Sequence, residues 1–185
     1  MKELHEVLRQ WIANVLQSHR CVMSIALRQR AKFEGWLKFE LAAQAEMNGA
    51  TNVVVEAPLP ERGRSDLSFD WEGVQYDVEL KTPNTNWRMP GILELTRPIT
   101  KNFSSIVADA RKATEGHRNP IVAFVIFPVP CGDVRWHQYY ERVCVELGVV
   151  LARDLHTTQI TVPISQHHDA DVVVCCIPVP AQVRH

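Results

Sequence analysis

At 185 residues, 46% hydrophobic and 22% charged, the chain has the composition of an ordinary globular domain and the length to bury a core without disulfide or metal staples. Its net charge of −1 is unlike that of a protein that coats nucleic acid, although a local basic rim is compatible with it. No apolar run approaches a membrane span, and five cysteines without a Cys-x-x-Cys pair read as the thiols of a reduced, cytoplasmic protein.

Leu4, Val7, Leu8, Trp11, Ile12, Val15 and Leu16 recur at helical spacing and predict an amphipathic helix over about 2–17, its stripe a core or dimer contact. A second helix is expected over about 28–47, stopped by Asn48-Gly49. Strands follow at about 52–57, 65–71 and 74–81. Pro83, Pro90 and Pro98 then break a long irregular segment that carries Trp87, Arg88, Thr96 and Arg97. It reads equally as a substrate loop and as a connection held by packing of Trp87. A helix over about 101–116 precedes a strand at 121–127, whose unbroken apolar run implies burial on both faces. A helix over about 133–147 and a strand at 171–179 complete a single domain. His167, His168, Asp169 and Asp171 are zinc-ligand residue types, but without His-x₃-His spacing or a cysteine pair they read as a polar loop.

The most informative stretch runs from Arg64 to Lys81. Leu67, Phe69 and Trp71 interleave with Asp66, Ser68 and Asp70, then Val74, Tyr76, Val78 and Leu80 interleave with Gln75, Asp77, Glu79 and Lys81. Period-two alternation predicts two strands, each with an apolar and a polar face. Glu72-Gly73 stands at the hairpin turn. A two-residue loop places Asp66 opposite Glu79 and Arg64 opposite Lys81; a three-residue loop with a bulge shifts that register by one. Opposed carboxylates, with Cβ atoms roughly 4.5–5.5 Å apart, repel unless neutralised. A divalent cation neutralises them, whereas a merely wet strand face needs no such purpose.

Asp66, the hairpin and the tripeptide Glu79-Leu80-Lys81 together resemble the acid, hairpin and acid-x-Lys pattern of the PD-(D/E)XK superfamily of restriction-endonuclease-like nucleases. The upstream glutamate-bearing helix around Phe33–Leu41 and the later helix and apolar strand extend the resemblance over about residues 28–130. Ser65, rather than proline, precedes Asp66. The resemblance implies an α/β fold, three-layer α/β/α with a central mixed β-sheet and an αβββαβ core. It also implies Mg²⁺- or Mn²⁺-dependent hydrolysis of phosphodiester bonds in DNA.

On that resemblance Asp66, Glu79 and the backbone carbonyl of Leu80 are expected to hold the ion, and Lys81 to sit beside the attacking water. Hard oxygen ligands suit Mg²⁺, which keeps several waters. A lysine among carboxylates stays protonated, so Lys81 is expected to position water and stabilise charge. Glu40 lies on the apolar stripe of its helix and needs a buried partner, which makes it the preferred outer group of the site. Glu34, at the stripe edge, is the alternative. Arg62, Arg64, Arg88 and Lys101 are candidate phosphate contacts, with Arg97, Arg111 and Lys112 nearby in sequence. The alternatives are a catalytically inactive nuclease-like domain that binds nucleic acid or a partner protein, and a structural oligomerisation module. Cutting both strands of a duplex would call for a homodimer, with the N-terminal helix as one possible interface.

Overall fold

The computed structural model describes residues 3–59, 63–96, 98–116 (backbone alone at 113–116) and 118–180. Helices α1 (Leu4–Ser18), α2 (Arg20–Gln29) and α3 (Glu34–Met47) lead into strands β1 (Thr51–Pro58), β2 (Arg64–Trp71) and β3 (Val74–Lys81). After α4 (Ile99–Gly116) come β4 (Ile121–Val129), α5 (Trp136–Leu147), the short α6 (Arg153–His156), β5 (Thr157–Pro163) and β6 (Asp169–Pro178). The six strands form one mixed sheet in the order β1-β2-β3-β4-β6-β5. Among the described strands β3 and β4 run parallel and the other neighbouring pairs are antiparallel.

Burial explains the layering. All nine residues of β4 are buried, and their side chains divide between two cores. Ile121, Ala123, Val125 and Phe127 join Val172, Val174 and Cys176 of β6 beneath Leu8, Ile12 and Leu16 of α1, Leu27 of α2 and Leu37 of α3. Val122, Phe124 and Ile126 join Val173, Cys175 and Ile177 beneath Phe103 and Ile106 of α4 and Tyr140 and Val143 of α5. Side chains alternate across a strand, so a strand that is apolar throughout requires helices on both sides of the sheet. The α1 stripe therefore covers the protein's own sheet: Leu8, Ile12 and Leu16 are fully buried, and Trp11 packs edge-on against Trp71 with ring centroids 5.2 Å apart. Of the two expectations for this stripe, a core contact is the one seen.

The helix expected over 28–47 is two helices. Arg30 reverses the chain in a left-handed conformation (φ 49°, ψ 33°), and Ala31 N–H closes the end of α2 on the carbonyl of Ala26 at 3.0 Å. A non-glycine residue tolerates that backbone here because its side chain is held elsewhere. The buried Arg30 guanidinium donates to the carbonyls of Leu93 (2.6 Å), Trp87 (2.5 Å) and Thr85, while Asn84 donates to the Arg30 carbonyl at 2.7 Å.

That same anchor decides the irregular segment after β3. Trp87 is buried against Tyr139, with the Arg135 guanidinium 4.5 Å from its ring centroid. The packing of Trp87 expected for this stretch is present. Strand β5 is additional to the expected elements, and its Ile160 and Val162 alternate with polar neighbours and are buried. Among the described residues, no helix is long and apolar enough to cross a membrane.

Candidate functional site

The β2–β3 hairpin has the two-residue loop. Glu72 (φ 50°) and Gly73 (φ 78°) both take positive φ, the combination that a tight type I′ turn requires. The resulting register pairs Trp71 with Val74, Phe69 with Tyr76 and Leu67 with Val78. Asp66 and Glu79 occupy the next step, where the ladder ends and the two strands part. Beyond that point β2 continues with β1, as Ser65 pairs with Ala57, while β3 continues with β4, as Lys81 pairs with Phe124. Asp66 fills the fork: its Oδ2 accepts the Leu80 N–H at 2.8 Å, a donor that β2 backbone no longer reaches.

Lys81 is the centre of what gathers there. Its Nζ lies 2.6 Å from Glu79 Oε1, 3.5 Å from Asp109 Oδ2, 3.8 Å from Asp66 Oδ2 and 3.9 Å from Glu34 Oε1. Glu34 also accepts the Thr82 N–H at 3.3 Å. A second ammonium, Lys38 Nζ, sits 2.9 Å from Asp66 Oδ1 and 3.3 Å from Glu56 Oε1. The side chains of Lys38, Asp66, Glu79 and Lys81 are only 11–20% exposed, so their charges are weakly screened by solvent.

The protonation states follow from this packing. Burial works against the Lys81 ammonium, but the hydrogen bond and charge of Glu79, with Glu34 and Asp66, more than offset it and hold Lys81 well above the usual lysine range. Lys38 behaves alike: burial opposes its charge, and Asp66 and then Glu56 raise it. Burial pushes the Glu79 carboxyl upward, with Asp66 adding to the shift and Lys81 opposing it.

Of the two candidate glutamates, the structure brings Glu34 to Lys81. Glu40 instead accepts from Trp36 Nε1 at 3.1 Å and lies 3.6 Å from His19 Nε2. The reason is the break at Arg30. With α3 beginning at Glu34, the buried stripe is Phe33, Leu37, Leu41 and Ala45, and Glu34 and Lys38, one turn apart, share the edge facing the hairpin fork. Sequence reasoning missed Lys38 and Asp109. The four-residue spacing from Glu34 was the signal for Lys38. For Asp109 it was an acid set among Phe103, Ile106, Val107 and Ala110, on the helix that connects the parallel strands β3 and β4.

The basic candidates are more scattered. Arg64 lies 3.3 Å from Glu56 and so joins the edge of the site through the Glu56–Lys38 pair. Arg88 lies 3.6 Å from Glu94, Arg111 contacts Glu146 at 2.5 Å, and Lys112 lies 3.4 Å from Asp109. Lys101 is exposed in the first turn of α4. Arg62 and Arg97 lie outside the described residues.

Of the other polar cluster, expected as a loop, His167 and His168 precede β6 while Asp169 and Asp171 lie within it. Buried Asp171 accepts from Gln159 and Thr161 at 2.6 Å each, and His168 contacts the Ser165 hydroxyl at 3.2 Å. Among the described residues, no three His, Cys, Asp or Glu side chains form a metal cage by themselves; at the hairpin fork the Lys81 ammonium stands between the acids. All five cysteines are free, with Cys144, Cys175 and Cys176 buried. No protein-family model, characterised protein or solved structure matches the chain.

Proposed function

We propose that the chain is a metal-dependent nuclease of the PD-(D/E)XK type that hydrolyses phosphodiester bonds in DNA. The observation that carries this reading is the convergence of Asp66, Glu79, Glu34 and Asp109 on Lys81 at a fork in the sheet. The order α3-β1-β2-β3-α4-β4, with antiparallel β1–β3 and a parallel step from β3 to β4, accords with the αβββαβ core that the sequence resemblance implies.

The donor set suits Mg²⁺ or Mn²⁺. Asp66, Glu79 and the Leu80 carbonyl offer hard oxygens, and the five carboxylates of the network (Glu34, Glu56, Asp66, Glu79 and Asp109) exceed its four bases (Lys38, Arg64, Lys81 and Lys112) by one. A divalent ion held there would acidify the attacking water and offset charge developing on the phosphoryl oxygens. The chain's own groups do the rest. Protonated Lys81 donates to the water or to a non-bridging oxygen, and Glu34 and Asp109 hold its side chain in place. The Leu80 N–H fixes the plane of the Asp66 carboxylate.

The test is a melting curve with and without Mg²⁺ or Mn²⁺, paired with a cleavage assay on plasmid and oligonucleotide DNA. Metal-linked cleavage and a midpoint that rises with metal concentration support the reading. A midpoint indifferent to either ion overturns it.

A second reading draws on the two ammonium groups set within the acid cluster. Lys38 and Lys81 already neutralise much of the acid cluster, as they would in a nuclease-like domain that binds nucleic acid or a partner protein without cutting. That reading expects DNA binding with no cleavage in any metal. If the rim bases hold phosphates, affinity falls roughly tenfold or more between about 50 and 200 mM salt.

A further inference from the structure

The sheet ends in two edges that are built differently. Edge strand β1 is a poor template for further pairing. Its register shifts between Thr51 and Val54, Asn52 (φ 52°) and Glu56 (φ 53°) are left-handed, and Glu56 carries a charge that Lys38 and Arg64 meet. Edge strand β5, Thr157-Thr158-Gln159-Ile160-Thr161-Val162-Pro163, has an unbroken register with β6, no positive φ and no charged residue. The ladder fixes which way its backbone points. Ile164 N–H donates to the His168 carbonyl at 2.9 Å, and bonded pairs alternate along antiparallel strands, so Thr158, Ile160 and Val162 bond to β6 while Thr157, Gln159 and Thr161 turn outward. Thr157 is closed, its N–H on the Arg153 carbonyl and its own carbonyl on Arg9 Nη1 at 2.8 Å. Among the described residues the outward N–H and C=O of Gln159 and Thr161 have no partner. Their side chains leave the edge uncovered, because Gln159 Nε2 and Thr161 Oγ1 both bond to Asp171 at 2.6 Å.

Independently of the nuclease reading, we propose that β5 is a dimer interface, at which two copies of this chain pair edge to edge as antiparallel strands about a two-fold axis at Ile160. In this register Gln159 stands opposite Thr161 of the second copy, and Thr161 opposite its Gln159, so every outward N–H and C=O of these residues is satisfied in both copies. A slip of two residues forfeits part of this. One direction sets Thr161 against the closed Thr157, and the other sets Gln159 against Pro163, which has no N–H. The strand is also compatible with itself in charge: it carries no charged side chain to oppose its own image, and Ile160 meets Ile160 of the second copy as an apolar pair. Helix α2, packed on β5 at the same rim, adds apolar surface with Val22 and Ile25, which are 43% and 48% exposed. An uncharged edge with an apolar flank suits a second copy rather than DNA, whose phosphates call for cations.

Light scattering of the full chain across micromolar concentrations, with amide exchange read residue by residue by NMR, tests this. The expected mass is twice the 21.1 kDa of one chain. The Gln159 and Thr161 amides are expected to exchange roughly tenfold more slowly in the dimer than in the dilute chain, while those of Thr158 and Ile160, bonded to β6, do not respond to dilution. Gln159→Pro removes an N–H that a single copy does not use, a change that an edge strand tolerates, and is expected to give a folded monomer. Gln159→Ala loses the same bond to Asp171 but keeps the N–H, and is expected to remain a dimer. A mass of one chain throughout, a mass that grows beyond two copies, or a dimer whose Gln159 and Thr161 amides exchange as fast as in the dilute chain overturns the interface. So does a folded Gln159→Pro protein that stays dimeric, or a Gln159→Ala protein that becomes monomeric. Should Gln159→Pro fail to fold, exchange at the two wild-type amides decides the matter.

Discussion

Glu34 and Lys81 meet at 3.9 Å although one opens α3 and the other closes β3, and the second oxygen of Glu34 accepts the N–H of Thr82, the residue after Lys81. One carboxylate thus steers both the ammonium and the backbone that carries it. Glu34→Gln keeps the backbone acceptor and loses the charge, so on the proposed nuclease reading it is expected to lower cleavage rate roughly tenfold or more while the chain stays folded. Glu40→Gln, changed beside His19 and Trp36, is expected to leave cleavage within about twofold. Steady-state rates and melting curves for the two variants decide it, and the reverse ranking would return Glu40 to the site.

On the nuclease reading Asp66 would serve the reaction, and the fold itself also holds it. Considered only as one of two opposed acids, its removal relieves repulsion; in the fold its removal orphans the Leu80 N–H and frees the Lys38 ammonium. Asp66→Ala is therefore expected to cost about 1–3 kcal/mol of stability and to abolish cleavage. Asp66→Asn retains an acceptor for Leu80 and is expected to recover part of that stability but none of the activity. Denaturant titration of both variants reads the difference.

The turn offers a gain. Glu72 adopts φ 50° at the first loop position of a type I′ turn, where Asn and Gly carry less strain than Glu. Glu72→Asn is expected to raise Tm by about 2 °C with cleavage unaltered. A lowered Tm would mean that the Glu72 side chain makes a contribution larger than the backbone strain.

Acid should weaken the seat of α1. His5 and His156 are buried with ring centroids 5.3 Å apart, and His156 Nδ1 shares a 2.7 Å hydrogen bond with the Tyr140 hydroxyl. Burial lowers both imidazoles, with Arg9 adding to each and His5 adding to His156, against opposition from Glu3 and Glu6 at His5 and from Glu6 at His156. A base whose folded-state pKa lies below its unfolded value stabilises fully above the unfolded pKa, and that stability drains away as pH falls through the folded one. Tm is therefore expected to be level above about pH 6.5 and to decline below it. His5→Phe, which preserves an edge-on ring and removes one titrating group, is expected to make the decline shallower. An identical slope in the variant would place the acid sensitivity elsewhere.

The sequence by itself determined the features that depend on near neighbours. Alternation from Arg64 to Lys81 set two strands and a turn at Glu72-Gly73, because side-chain period is a local property; the length of the loop, and with it the register, was decided by the structure. The same holds for the buried β4 run and the Asn48-Gly49 stop. Only the tertiary structure decided which glutamate serves the fork, since α3 begins where Arg30 reverses the chain, and Arg30 is held by the carbonyls of Thr85, Trp87 and Leu93 far along the sequence. Lys38 and Asp109 join the site for the same kind of reason: two helices on different segments present them to one point. The α1 stripe was legible as a buried face, but whether it met another copy or its own sheet depended on β6 and α3 being there to receive it. Periodicity states that a face must be covered, and only the assembled sheet supplies what covers it.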